Sequence, residues 1–197
     1  MNLVMCEGPN ELAVMDILLD HDLLTFSRDD LLNLSAFHAR QIDKSTVVQI
    51  ALNLYPGPVD VLRIGDTLTD KLRCPSQYAD KINSVKKYCT KPEVEILLIL
   101  AEGLEDEFAK VKSGKKKRSA KDFGKEHIFA GRKRYDNSTR FYMDYFGSRP
   151  DDLAQAIIRY KQIQGAHILK EHFQPPTTFL MYCSIRSAPA CFISSVT

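Results

Sequence analysis

The sequence predicts an α/β fold, a mostly parallel sheet flanked by helices, followed by a mainly helical, basic C-terminal extension. Three observations predict it. Two short apolar runs, at 3–6 and 59–64, each end where an acid sits beside a glycine, as Glu7-Gly8 and Gly65-Asp66. Helical periodicity fills the chain between them, and strands separated by helices pair in parallel with their C-terminal ends on one rim. A dense run of Lys and Arg then marks off the C-terminal part. Eleven of the 27 cationic residues fall between 110 and 134, against two of the 25 acids.

The first strand is read at residues 2–6. Glu7 then stands at the C-terminal end of a strand, where open α/β sheets bind ligands, and Gly8 permits a sharp turn. Asn10 is placed to cap a helix over 11–24, built on Leu12, Val14, Met15, Ile17, Leu18 and Leu19. Ser27-Arg28-Asp29-Asp30 reads as a capping box with Asp in the usual Glu position. Alternation over 36–42 predicts a partly exposed strand, with His38 and Arg40 on the face opposite Phe37 and Ala39. Ser45 starts a helix that Tyr55-Pro56-Gly57-Pro58 ends, and the second apolar strand follows. Residues 70–74 read as a turn or a short helix. Thr90 and Glu93 frame a capping box for one helix running to about Lys112, which Ser113-Gly114 breaks. Phe141, Tyr142, Tyr145 and Phe146 fit one buried helix face, and another helix starts at Pro150. The expected organisation is an α/β domain over 1–112, a basic loop or linker over 113–134 and a helical extension over 135–197. Beyond Glu171 the tail holds a single charged residue, Arg186, and gives no clear element.

Hydrophobic residues make up 44% of the chain and charged residues 26%, as in ordinary globular proteins. No apolar run is long enough to span a bilayer, and no basic segment precedes an apolar one at the N-terminus. The expectation is a soluble, cytoplasmic protein without a membrane partner. Five scattered cysteines (Cys6, Cys74, Cys89, Cys183, Cys191) without a CxxC pair signal neither zinc nor a disulfide framework, and fit reduced thiols.

Glu7, Asp66, Asp70 and Glu95 come from three segments, each at a strand end or a helix start, with Glu11 and Glu93 beside them. Converging carboxylates repel one another without a cation. A hard ion such as Mg²⁺ or Mn²⁺ takes oxygen ligands, polarises a phosphodiester and activates water. The plainer alternative is a set of solvated carboxylates at strand–turn–helix connections.

Cys6-Glu7-Gly8-x-x-Glu11, the strand ending Ile64-Gly65-Asp66, and Lys91-Pro92-Glu93-Val94-Glu95-Ile96-Leu97-Leu98 follow one another in the order seen in TOPRIM domains. Over roughly residues 2–110 the chain resembles the small TOPRIM proteins related to OLD and RloB-like nucleases of bacterial defence systems. The resemblance implies a TOPRIM-like sheet in which Glu7 is the essential Glu, Asp66 the first acid of a Mg²⁺-binding D-x-D, and Glu95 the later acidic residue. The second Asp of that motif falls at Leu68, which offers no ligand atom; Asp70, Thr67, Thr69 or a water is left for its place. The implied function is a metal-dependent endonuclease cutting DNA or RNA, the effector of an anti-phage or toxin-like system, with Glu7 and Asp66 catalytic and Glu7, Asp66, Asp70 and Glu95 as metal ligands. The missing Asp suits a second reading, a non-catalytic TOPRIM-like subunit that binds nucleic acid or a partner ATPase as sensor or regulator. An unrelated flavodoxin-like domain with an acidic pocket is a third, and it leaves the basic block without a role.

Lysines and arginines near aromatics suit nucleic acid, because cations neutralise phosphates and rings stack on exposed bases. Lys115, Lys116, Lys117 and Arg118, with Arg132, Lys133 and Arg134, are the expected contacts, and Arg140-Phe141-Tyr142 lies close by. The alternative for the block is a solvated interdomain loop, whereas Phe141, Tyr142, Tyr145 and Phe146 read first as packed core. The aromatic content of the C-terminal half also suits a homodimer.

Overall fold

The computed structural model describes residues 1–65, 70–90, 93–113 and 118–168. Four strands, β1 (Asn2–Cys6), β2 (Phe37–His38), β3 (Val59–Gly65) and β4 (Ile82–Cys89), form one sheet in the order β2-β1-β3-β4. All three pairings are parallel, with Cys6 opposite Ile64 and Gly65 opposite Cys89. β1 and β3 bury almost every side chain, the mark of interior strands covered on both faces. The chain is thus an α/β protein with a four-stranded, all-parallel sheet flanked by helices.

The two faces carry different cover. Leu3, Met5, Val59 and Val61 pack under α2 (Thr46–Leu54), through Val48, Ala51 and Leu52, and under Tyr78. Ser45 caps that helix, its hydroxyl accepting from the Val48 N–H, as the sequence predicts. Lys81 donates to the carbonyls of Leu52 and Tyr55 at the other end, which suits the negative pole of the helix. Val4, Cys6, Leu62 and Ile64 face the opposite way, into a larger cluster that includes α1 (Pro9–Asp20) and α3 (Ile96–Ala101). Next in the chain come α4 (Glu105–Ser113), α5 (Ala120–His127), α6 (Thr139–Phe146) and α7 (Pro150–Ile168). α6 packs on α1, and α7 packs on α3. Phe141, Tyr142, Tyr145 and Phe146 are all buried, so the aromatic face of α6 closes the core.

Several elements differ from expectation. α1 begins at Pro9 with Gly8 as its cap; Asn10 lies inside the first turn, with its side chain beside that of Asn137. The strand expected over 36–42 keeps only Phe37 and His38 in the sheet, because its pairing with β1 ends there. Its alternation holds, with Phe37 and Ala39 buried and His38 and Arg40 exposed. No helix forms over 70–75. Thr90 and Glu93 make no capping box. α3 begins only at Ile96, and Glu93 accepts from the backbone N–H of Lys121. The helix expected to reach Lys112 is broken at Gly103, whose φ of +68° suits a glycine ending a helix. β4 forms where the sequence pattern predicts no strand. The basic segment also contains structure of its own: α5, capped by Ser119, and a hairpin of β5 (Phe129–Ala130) and β6 (Lys133–Arg134). Among the described residues no helix is long and apolar enough to cross a membrane.

A candidate functional site at the C-terminal rim of the sheet

Parallel pairing brings all four strand ends to one rim. The Glu7 N–H donates to the Ile64 carbonyl at 2.8 Å, Ala39 to the Cys6 carbonyl at 2.9 Å, and Thr90 to the Gly65 carbonyl at 3.1 Å. A shallow pocket opens here between Met5, Glu7, Arg40, Arg63, Gly65 and Lys87. Gly65 is required by its neighbour. A methyl group at that position would come within 2.7 Å of Glu7 Cβ and meet the Glu7 carboxylate, so only glycine lets the acid lie across the end of β3.

On the α2 side the rim is a network of charges. Arg40 Nη1 pairs with Glu7 Oε1 at 3.0 Å while its Nε reaches Asp70 Oδ2 at 3.3 Å, so one guanidinium spans both carboxylates. Arg63, only 9% exposed, points from β3 and donates to the Asp70 carbonyl at 2.8 Å, the Arg40 carbonyl at 3.0 Å and Asp70 Oδ2 at 3.3 Å. Gln41 donates to the same carboxylate at 2.6 Å and accepts from the Arg73 N–H, and Lys87 donates to the Asp70 carbonyl at 2.6 Å. Burying a guanidinium costs free energy unless its donors are matched, and here an ion pair and two carbonyls match them.

Burial pushes the Asp70 carboxyl up, but hydrogen bonds from Arg40 and Arg63, and their charges, outweigh it and hold the group below the usual 3.8. A depressed folded-state pKa adds stability above the ordinary value, and that stability is lost as pH falls through the folded value. Urea unfolding from about pH 5 down to about pH 2 is therefore expected to show a steeper loss of stability for the wild type than for Asp70→Asn. Equal slopes would remove Asp70 from the acid response.

The other side of the rim, among the helices, holds a second polar group. Glu95 is 5% exposed and accepts from the Tyr135 hydroxyl at 2.7 Å; the Tyr142 hydroxyl lies 3.2 Å from that of Tyr135. Asn137, its amide nitrogen turned to the carboxylate, donates to Glu95 at 3.0 Å, and its oxygen accepts from Lys121 at 2.9 Å. Thr90 donates to Glu11 at 3.4 Å nearby. Burial first, then the Glu95 carboxylate, pushes the Tyr135 phenol far up, so it remains a donor. Tyr135→Phe leaves a buried carboxylate short of a donor, and a loss of about 2 kcal/mol in urea unfolding is expected. A change below about 0.5 kcal/mol would show that Glu95 finds other partners.

Of the acids expected to meet, Glu7 and Asp70 lie together through Arg40, whereas Glu95, Glu93 and Glu11 belong to the second group. Asp66 lies outside the described residues, directly after Gly65 in the chain. So do Lys115, Lys116 and Lys117; Arg118 pairs with Glu126. Among the described residues no three or more His, Cys, Asp or Glu side chains are grouped to hold a metal ion. Sequence reasoning missed Arg40, Gln41, Arg63 and Lys87. One signal was present: Arg63 interrupts the apolar run from Val61 to Ile64, and a charge in a buried run calls for a partner. Cys6, under the same rim, is a free thiol that burial and then the nearby Glu11 and Asp16 carboxylates push well above 9.0, so it stays protonated at neutral pH. The chain matches no protein-family model, no curated protein and no solved structure.

Proposed function

We propose that this protein is a metal-dependent nuclease of TOPRIM type, acting on DNA or RNA phosphodiesters at the C-terminal rim of the sheet, as an effector in defence against phage. The observation that carries the reading is the placement of Glu7. Its carboxylate lies at the end of β1 against Gly65, the last residue of the neighbouring parallel β3, and the chain continues from Gly65 into Asp66. Mg²⁺ and Mn²⁺ take one or two protein carboxylates and fill the remaining positions with water and substrate oxygens. Glu7 with Asp66 supplies hard oxygen donors of that kind. Asp70 is engaged by Arg40, Arg63 and Gln41, and Glu95 by Tyr135, so these two serve better as supports than as ligands. The bound ion would polarise the scissile phosphodiester and lower the pKa of an attacking water. Arg40 is exposed and pairs with Glu7, and can transfer its hydrogen bonds to a phosphate oxygen, leaving Asp70 with Arg63 and Gln41.

A non-catalytic reading has its own observation in favour. Arg40 neutralises Glu7 and Asp70 much as a cation would, which suits a rim that binds a polyanion or a partner subunit without cutting. Cleavage of supercoiled plasmid and of total RNA in Mg²⁺, Mn²⁺ or EDTA separates the two readings. Metal-dependent cutting that disappears in Glu7→Gln supports the nuclease. Salt-sensitive binding without cutting supports the binding subunit.

A further inference from the structure

The aromatics nearest the basic segment in sequence, Tyr135, Phe141 and Tyr142, are buried in the core and out of reach of any ligand. Phe129 is not; it is 44% exposed. It opens the β5–β6 hairpin, whose two-residue turn puts Gly131 first at φ +61°, the position where such turns demand glycine. The register sets Phe129 opposite Arg134 and Ala130 opposite Lys133, so ring and guanidinium share one face. The Arg134 guanidinium lies 5.5 Å from the Phe129 ring centre.

The two faces of the hairpin differ in charge. Lys133 is neutralised by Asp136 and Asp144, both 3.7 Å away. Arg132 and Arg134 have no carboxylate within ion-pair distance among the described residues. One face is therefore balanced, and the other is cationic and carries an exposed ring. β6 leads straight into Tyr135 and Asn137, which are fastened to Glu95, so the hairpin is tied to the polar group among the helices.

We infer that the Phe129–Arg134 face is a stacking platform for an unpaired base, with Arg132 and Arg134 on the adjoining phosphates. This inference rests on the nucleic-acid reading above and narrows its substrate to single strands. A ring stacks only on a base whose face is free, and a duplex hides those faces in its own stack, leaving the arginines alone to bind it. Phenylalanine brings no hydrogen-bonding group, so the platform is tolerant of base identity.

The test is fluorescence anisotropy of the full chain with labelled oligo-dT, labelled oligo-U and a blunt DNA duplex of equal length, at low salt. Phe129→Leu keeps the apolar bulk and removes the ring; Phe129→Trp keeps a ring. The expected result is a loss of about tenfold in single-strand affinity for Phe129→Leu, with duplex affinity unchanged and single-strand binding restored in Phe129→Trp. Single-strand affinity unchanged in Phe129→Leu, or an equal loss on strand and duplex, overturns the platform while leaving the nucleic-acid reading intact. A wild-type chain that binds none of the probes overturns both.

Discussion

Arg63→Met is expected to lower unfolding free energy by about 3 kcal/mol, the largest loss of stability at the rim. The side chain lies in the sheet's interior layer and its methylenes can be replaced by those of methionine, so packing changes little. What is lost is a charged donor to two backbone carbonyls and one carboxylate. Breaking a wholly buried pair costs about 3–5 kcal/mol, and the lower end applies because Lys87, Gln41 and Arg40 still reach Asp70. Arg40→Met gives the contrast. That guanidinium is half exposed, and an exposed pair contributes about 0–1 kcal/mol even when it joins two acids. Urea unfolding of the two variants side by side checks the point. Equal losses would mean that charge count, not burial, holds the rim together.

Gly65→Ala is expected to cost about 2 kcal/mol and to abolish whatever Glu7 does, without touching an acid. The new methyl occupies the space of the Glu7 side chain, and backbone on both sides is pinned by sheet hydrogen bonds, so Glu7 must move. Its pairing with Arg40 goes with it. The control is Glu7→Gly, which empties the contested space. In that background Gly65→Ala should cost less than about 1 kcal/mol in thermal or urea unfolding. A full penalty in both backgrounds would place the strain elsewhere than on Glu7.

The sheet's centre was legible because β1 and β3 are short, apolar and bounded by glycine and proline, and α2 because Ser45 and Pro56 punctuate it. β4 was not. It lies at the edge of the sheet, and Asn83, Val85 and Lys86 are exposed, so its sequence lacks the apolar run of a covered strand. The single helix expected after residue 90 hid a break that Gly103 announces. Glu7 could be placed at a strand end because a local pattern sets it there. The acids it was expected to join come from distant segments, and their positions depend on pairings that no spacing reveals: Asp70 turns to Arg63, Glu95 to Tyr135 forty residues on. The α6 aromatics are legible as core, for their spacing alone brings them to one face.

The cover of the larger sheet face has a consequence for how the chain is made. β1 and β3, which pair with each other, are both made by residue 65, yet α1 packs on α6 and α3 on α7, which are made later. At about 5–20 residues per second, roughly 5–20 s separate the completion of β3 from that of α7. Ile17 and Leu18 spend that interval, and Leu98 and Ile99 the part of it after they are made, without their final partners. Expression yield should therefore depend on holding chaperones during synthesis far more than the stability of the finished protein would suggest.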